Sequence, residues 1–318
     1  MIDHPAGTMP DNFECPPVAL IAFNRPAYTV QVLDAIRAAA PRRLFVIADG
    51  PRFGRGDDQE NCAAVRKLID NKVDWECEVT RFYSGTNMGC TARVSSGLEA
   101  VFEQVGEAII LEDDCVPAPS FFPFCAELLE RYRDEPKVGM IAGTNFRGVE
   151  QEHTDSYFFS SHYSVWGWAT WRRAWVGFDP TMNAWRSTVH PAEIAENWKD
   201  SRSRRIHTAM FDACREGTID SWAVPWSLHL ATRKQLAAVT EVNLVTNIGV
   251  EGVHTRGGTA NNSLPVGSVR FPLSHPARLA ADPDYDRVVA STHRLFRGWL
   301  RTLWSARMRR LLGRPRNR

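Results

Sequence analysis

The sequence has no apolar run approaching the ~18 residues of a spanning helix, which excludes a transmembrane segment. It has no Cys-x-x-Cys pair. Its seven cysteines, at positions 15, 62, 77, 90, 115, 125 and 214, are odd in number and scattered. That usage fits reduced thiols in a cytosolic protein better than a disulfide framework or a zinc site. No Gly-x-Gly-x-x-Gly follows the first apolar run and no Gly-x-x-x-x-Gly-Lys-[Ser/Thr] occurs anywhere, so dinucleotide and P-loop readings lose support. The first 17 residues carry acids and prolines without an apolar core, unlike a secretory signal. There is no internal repeat. Net charge is nearly absent, at +1, yet it is unevenly spread. Residues 294–318 hold nine arginines and no acid, leaving about eight excess negative charges on residues 1–293.

What is present is ordinary globular chemistry: 318 residues, 44% hydrophobic and 24% charged, enough for one large α/β domain or two small ones. Short apolar runs at 18–23, 44–48, 79–83 and 108–111 read as buried strands. Between them Val30, Leu33 and Ile36, then Val65, Leu68 and Ile69, then Val94, Leu98, Val101 and Phe102 fall at helical spacing. Strands alternating with helices predict a doubly wound, mostly parallel sheet with right-handed crossovers. Further on, a helix is expected from 119 towards Arg133, a strand at 138–142, and helices at 204–214 and from Ser221. Short strands are expected at 236–239 and 242–245. The aromatic centre, 157–175, reads as less regular. Three prolines in 272–286 read as a linker.

The strand at 108–111 ends in Glu112-Asp113-Asp114, followed by Cys115-Val116-Pro117. Ligands of open α/β sheets bind outside the carboxyl ends of the strands. Three adjacent acids there repel one another unless a cation joins them. A hard divalent ion carrying a substrate phosphate takes one or two carboxylates. The bland alternative is a solvated loop that ends a strand. Asn24-Arg25 and Asp49-Gly50 close two other strands. An arginine fork suits a diphosphate, and an aspartate suits a base or ribose. Turns favour Asn, Asp, Gly and Pro in any case, so each signal alone is weak. Together they describe a nucleotide–metal site.

The run from Ile110 through Glu112, Asp113, Asp114, Cys115, Val116 and Pro117 to Pro119, Ser120, Phe121 and Phe122 resembles the acid segment of the N-acetylglucosaminyltransferase I family. Asn24-Arg25 and Asp49 are placed as in that family. In length the chain is more similar to bacterial haemolytic protein HlpA-like sugar transferases. The resemblance covers roughly residues 16–260 and is specific at the acid motif. It implies a GT-A (Rossmann-like) fold and an inverting transferase that takes a nucleotide sugar, a UDP-sugar first, with Mn²⁺ or Mg²⁺. It further implies that Arg25 meets the donor diphosphate, Asp49 its base and Asp113 its ribose. Glu112 completes the donor set, and Asp114 ligates the metal. His254, in the glycine-rich stretch 249–258, would join the metal or the diphosphate, with Gly257 and Gly258 as hinges; Asn247 and Arg256 are weaker candidates.

An inverting transfer needs a base for the acceptor hydroxyl. The family carries Asp-Asp-Trp where this chain has Asp220-Ser221-Trp222. Asp220 is therefore the candidate base, or alternatively an N-cap for the following helix, in which Pro225 is tolerated in the first turn. Trp168, within Trp166-Gly167-Trp168-Ala169-Thr170-Trp171, is the candidate acceptor platform, since sugars stack their apolar faces on indoles. The alternative is a tryptophan-rich core. Residues 294–318 space Leu295, Trp299 and Leu303 with arginines opposite, which reads as a basic interfacial helix or as a helix docked on the domain.

The expected organisation is a leader (1–15), a GT-A domain (16–271, with halves 16–143 and 144–271), a linker (272–293) and the basic tail (294–318). The expected protein is a cytoplasmic glycosyltransferase, peripheral on the membrane, acting on a glycan or lipid-linked acceptor in polysaccharide synthesis. Its rivals are a sugar-1-phosphate nucleotidyltransferase, for which 22–25 lacks a glycine-rich basic signature, and a non-catalytic sugar-binding or membrane-active protein. No nucleic-acid-binding motif accompanies the basic tail.

Overall fold

The computed structural model describes residues 13–149, 154–249 and 264–292. Four parallel strands form its first half: β1 (Val18–Ala22), β2 (Arg43–Ala48), β3 (Glu78–Tyr83) and β4 (Glu107–Glu112). The helices between them are α1 (Pro26–Ala39), α2 (Gly56–Lys72) and α3 (Cys90–Gln104). All five residues of β1 are buried because it lies inside the sheet with helices over both faces. Pro26 opens α1, where its fixed φ suits the first turn and its missing N–H leaves no bond unmade.

The short strand β5 (Cys115–Pro117) and α4 (Phe121–Arg131) follow, then β6 (Val138–Ala142), β7 (Tyr157–Ser160) and β8 (Trp168–Trp171). The helices α5 (Arg172–Trp175), α6 (Pro191–Ile194), α7 (Ser201–Arg215) and α8 (Ala223–Thr232) precede β9 (Leu236–Thr240), β10 (Val245–Asn247) and α9 (Pro283–Thr292). The main sheet runs β3-β2-β1-β4-β8-β6-β9-β7, with β8 and β7 antiparallel to their neighbours. The fold is therefore the expected α/β class, a Rossmann-like, mostly parallel sheet flanked by helices.

Alternation along the strands feeds two cores. Val18 and Leu20 meet Val32, Leu33 and Ile36 of α1 and the phenylalanines of α4. Ala19 and Ile21 face the other way, towards Val94, Leu98 and Phe102 of α3 and the indoles of Trp168, Trp222 and Trp226.

Three expectations change here. The aromatic centre is regular: β7 and β8 both belong to the sheet, because β8 fills the place between β4 and β6. The strand expected at 242–245 lies later, at Val245–Asn247, where it pairs with β5. The segment expected as a linker packs on the domain. Ser156 N–H donates to Ser274 O (2.9 Å) and Asp282 N–H to Phe159 O (2.7 Å), covering the outer edge of β7. An open strand edge is a pairing hazard, and proline-rich chain covers it without needing a ladder of its own. Tyr285 is buried there, with Arg147 over its ring at 5.2 Å. No described helix is long and apolar enough to cross a membrane.

Candidate functional site

β2 and β3 lie beyond one side of β1, and β4 returns on its other side, with Ile21 in register with Glu112. The strand order thus reverses between β1 and β4. At such a switch point the loops part and leave a crevice at the carboxyl edge. Arg25 leaves the end of β1, and Glu112, Asp113 and Asp114 leave the end of β4.

Arg25 joins the two sides. Its Nη1 donates to Asp114 Oδ2 at 2.8 Å and its Nη2 pairs with Asp113 Oδ1. Phe23 N–H donates to Asp113 Oδ2 at 3.2 Å. Asp113 and Asp114 are buried and Glu112 is half-buried. Burial pushes the Asp113 carboxyl up to about 6, although Arg25 opposes the shift. Glu112 is pushed up to about 8, first by desolvation and then by the charges of Asp114 and Asp113. Burial alone would lower the Arg25 pKa, but its two carboxylates outweigh burial and raise it. Even with Glu112 protonated, two aspartates share one arginine, so the cluster keeps excess negative charge.

Asp114 is also fixed from the second sheet. Cys115 pairs with Asn247 across β5 and β10, and Ile248 N–H donates to Asp114 O at 2.8 Å. The polar neighbours of Asp114 Oδ1 are distant, Asn247 Nδ2 at 3.4 Å and Cys115 Sγ at 3.5 Å. The amide contact is long for a hydrogen bond, and the thiol, at an ordinary S–H···O distance, is a weak donor. Gly249 passes so close that a Cβ there would lie 2.4 Å from Asp114 Oδ2. Among the described residues no three His, Cys, Asp or Glu side chains converge on one metal position. A Mg²⁺-type ion held by one or two carboxylates, substrate phosphates and water does not need three. The under-coordinated Oδ1 and the excess negative charge fit such an ion.

Asp49 sits at the end of β2, but its carboxylate is already engaged. Oδ1 accepts from Gly50 N–H (2.8 Å) and Met88 N–H (2.9 Å); Oδ2 accepts from Asn87 Nδ2 (3.0 Å) and Gly89 N–H (3.1 Å). As placed, Asp49 orders the loop that leads into α3. Gly89 ends that loop at φ +85°, a backbone state side chains rarely adopt.

Asp220 is brought to the same loop across 129 residues of sequence. Its Oδ1 accepts from Thr91 Oγ1 at 2.5 Å and lies 3.4 Å from Thr91 N. The helix whose first turn it holds, through the Thr91 hydroxyl, is α3, not the one that follows it. α8 starts after Trp222 with no side-chain cap. Asp220 itself is exposed.

Trp168 is not where a platform needs it. It is fully buried, stacked on Trp222 and tilted on Trp226 with centroids 5.6 Å away in each case. Its strand lies between β4 and β6, so a side chain pointing off that strand meets helices rather than solvent. The tryptophan-rich core is the correct reading at this position. His254, Arg256, Gly257, Gly258 and the tail at 294–318 lie outside the described residues.

Two groups at the site escaped the sequence reading. The Trp222 indole, just before α8, lies beside Glu112 and partly offsets the rise in its pKa. Arg93, in the first turn of α3, is half-buried and makes no ion pair among the described residues. Its Nη1 reaches only Met88 Sδ at 3.5 Å. Desolvation lowers its pKa, partly offset by Asp49. The available signal was an arginine one turn into a helix that follows a glycine loop.

No protein-family profile and no curated protein matches the chain. Among solved structures it is similar to the mannosyltransferase PcManGT from Pyrobaculum calidifontis in complex with GDP-Man and Mn²⁺, at 15% identity and TM-score 0.38, covering 73% of this chain and 72% of that one. It is also similar to 4-diphosphocytidyl-2C-methyl-D-erythritol synthase from Anaerococcus prevotii (10%, TM-score 0.36, 71% and 86%). A UDP-glucose pyrophosphorylase complexed with UDP-glucose matches at 6% and TM-score 0.37, covering 73% and 93%.

Proposed function

We propose that this chain is a divalent-metal-dependent inverting glycosyltransferase, moving a sugar from a nucleotide donor, a UDP-sugar first, to a glycan or lipid-linked acceptor. The observation that carries the reading is the acid cluster at the β1–β4 switch point, where one arginine pairs with two of three adjacent carboxylates and Asp114 Oδ1 has only a long amide contact and a thiol as partners. Asp114 is the proposed metal ligand from this cluster, and His254 the proposed second one. When bound, Mn²⁺ or Mg²⁺ supplies Lewis-acid stabilisation of the leaving nucleoside diphosphate.

The chain's own part is orientation and proton transfer. Arg25 holds Asp113 and Asp114 together and fixes where Asp114 presents its weakly bonded Oδ1. The Asp49-ordered loop and the first turn of α3 form the neighbouring wall. Arg93 stands there as a cation without a carboxylate partner among the described residues. Asp220, held by Thr91 through Oδ1, has Oδ2 to accept the proton of an acceptor hydroxyl. Association with a membrane surface through residues 294–318 belongs to the same reading, as does a place in polysaccharide synthesis.

The test is release of nucleoside diphosphate from UDP-, GDP-, CDP- and dTDP-sugars, with a total glycolipid extract as acceptor. Asp220→Asn is expected to lower the rate by roughly 10²–10⁴, the usual contribution of a positioned base, while donor binding is kept. An unchanged rate removes Asp220 as base. No release from any donor by the wild-type chain contradicts the transferase reading.

A further inference from the structure

Away from the acid cluster, Trp185, Arg186, Asp212, Arg215 and Glu216 line an open cleft of about 410 Å³. That lies inside the roughly 300–1,000 Å³ range of small-molecule sites. The cleft is built between the C-terminal end of α7 and the turn at 182–189. Arg186 sits at φ +60° and Met182 at φ +55°, both in the left-handed region that non-glycine residues rarely adopt. The turn is held in this shape by its own hydrogen bonds. Arg186 N–H donates to Val189 O (2.8 Å), and the N–H groups of Thr188 and Val189 donate to Ala184 O (2.9 and 2.8 Å). Trp185 and Met182 anchor it in a small apolar cluster with Trp198 and Phe211.

The left-handed turn delivers Arg186 to Asp212. Arg186 Nη2 donates to Asp212 Oδ2 at 2.7 Å, its Nε donates to Oδ1, and Trp185 Nε1 donates to Oδ1 at 2.9 Å. Arg215 and Glu216 are exposed at the rim. Two guanidinium groups and two carboxylates cancel formally, so the cleft offers paired donors and acceptors without net charge. Such a lining suits the adjacent hydroxyl groups of a neutral sugar better than a phosphate, which would meet two acids.

The cleft is also close to the candidate base. Asp220 lies four positions after Glu216, so their Cα atoms are at most about 14 Å apart. The chain between them folds back, with the N–H groups of Thr218 and Ile219 both bonded to Ala213 O (2.8 and 3.2 Å). We infer that the cleft is an acceptor-side subsite that holds a neutral pyranose of the acceptor glycan by hydrogen bonds that Arg215 donates and Glu216 accepts. This assignment of the sugar as acceptor rests on the transferase reading above.

The test uses the full chain and a panel of methyl glycosides of glucose, galactose, mannose, N-acetylglucosamine and rhamnose, followed by saturation-transfer difference NMR. At least one glycoside is expected to give a signal that falls fivefold or more in Arg215→Ala and, separately, in Glu216→Ala. Excess nucleoside diphosphate with Mn²⁺ is expected to leave that signal in place. Absence of signal for every glycoside, persistence of the signal in both variants, or its displacement by nucleotide would each overturn the subsite. Nucleotide titration of the same samples separates the two ideas. A glycoside signal that needs Arg215 in a chain that binds no nucleotide keeps the sugar site and removes the transferase; nucleotide binding without any glycoside signal does the reverse.

Discussion

Replacing Arg25 by alanine probes the site through stability as well as activity. The Arg25 side chain is 28% exposed, while those of Asp113 and Asp114 are 3% and 11% exposed. Removing one partner of a buried ion pair costs about 3–5 kcal/mol, mostly from the charge left behind. Partial solvent access of Arg25 places the expected loss at the lower end, near 3 kcal/mol. Urea unfolding at neutral pH, followed by tryptophan fluorescence, measures it. A divalent cation that binds the exposed carboxylates would return stability by mass action, about 2.7 kcal/mol at a concentration one hundred times its Kd. The account therefore expects the variant to be weakened and then rescued by millimolar Mn²⁺ more than the wild type is stabilised. A loss below about 1 kcal/mol, the scale of a surface pair, would refute the reasoning, and so would an equal response of both proteins to Mn²⁺.

Gly249→Ala places a methyl 2.4 Å from Asp114 Oδ2 and 3.1 Å from Asn247 Oδ1, so Asp114 must shift. Metal-dependent nucleotide binding is expected to weaken at least tenfold by calorimetry, and unchanged binding would separate Gly249 from the site. His229 is buried and neutral, its Nε2 donating to Ala174 O at 2.8 Å, and desolvation with nearby Arg233 pushes its pKa from 6.5 to about 3. The unfolded chain therefore binds a proton that the folded one refuses between these values. Stability from this residue is complete above pH 6.5 and is lost as pH falls, by about 2 kcal/mol at pH 5. Denaturant midpoints between pH 7 and 5 should fall less steeply in His229→Gln, and an identical slope would show that another group sets it.

The half of the fold that forms the crevice was legible because its signals are local. Apolar strands of five or six residues, each closed by polar residues and followed by helical spacing, name the β-α order directly. Glu112-Asp113-Asp114 were legible for the same reason, as charges ending a buried strand. What each side chain does was less legible. Arg25 reads as a phosphate fork, yet in the fold it is occupied by Asp113 and Asp114. Asp49 reads as a ligand contact and is taken up by Asn87, Met88 and Gly89. Trp168 reads equally as platform or core until β8 is known to lie between two other strands. Asp220 meets Thr91 across the molecule, a contact no local pattern encodes. The prolines of 272–286 signal irregular backbone correctly, but irregular chain still packs when it covers a strand edge.

The most direct measurement is calorimetric titration of the full chain with UDP, GDP, CDP and dTDP, each with and without Mn²⁺, in the wild type and in Asp114→Ala. The account predicts that one diphosphate binds tightly only when the metal is present, and that the variant, while still folded, loses this binding. A folded wild-type chain that binds none of them, or binds one equally well without metal and in the variant, would contradict it.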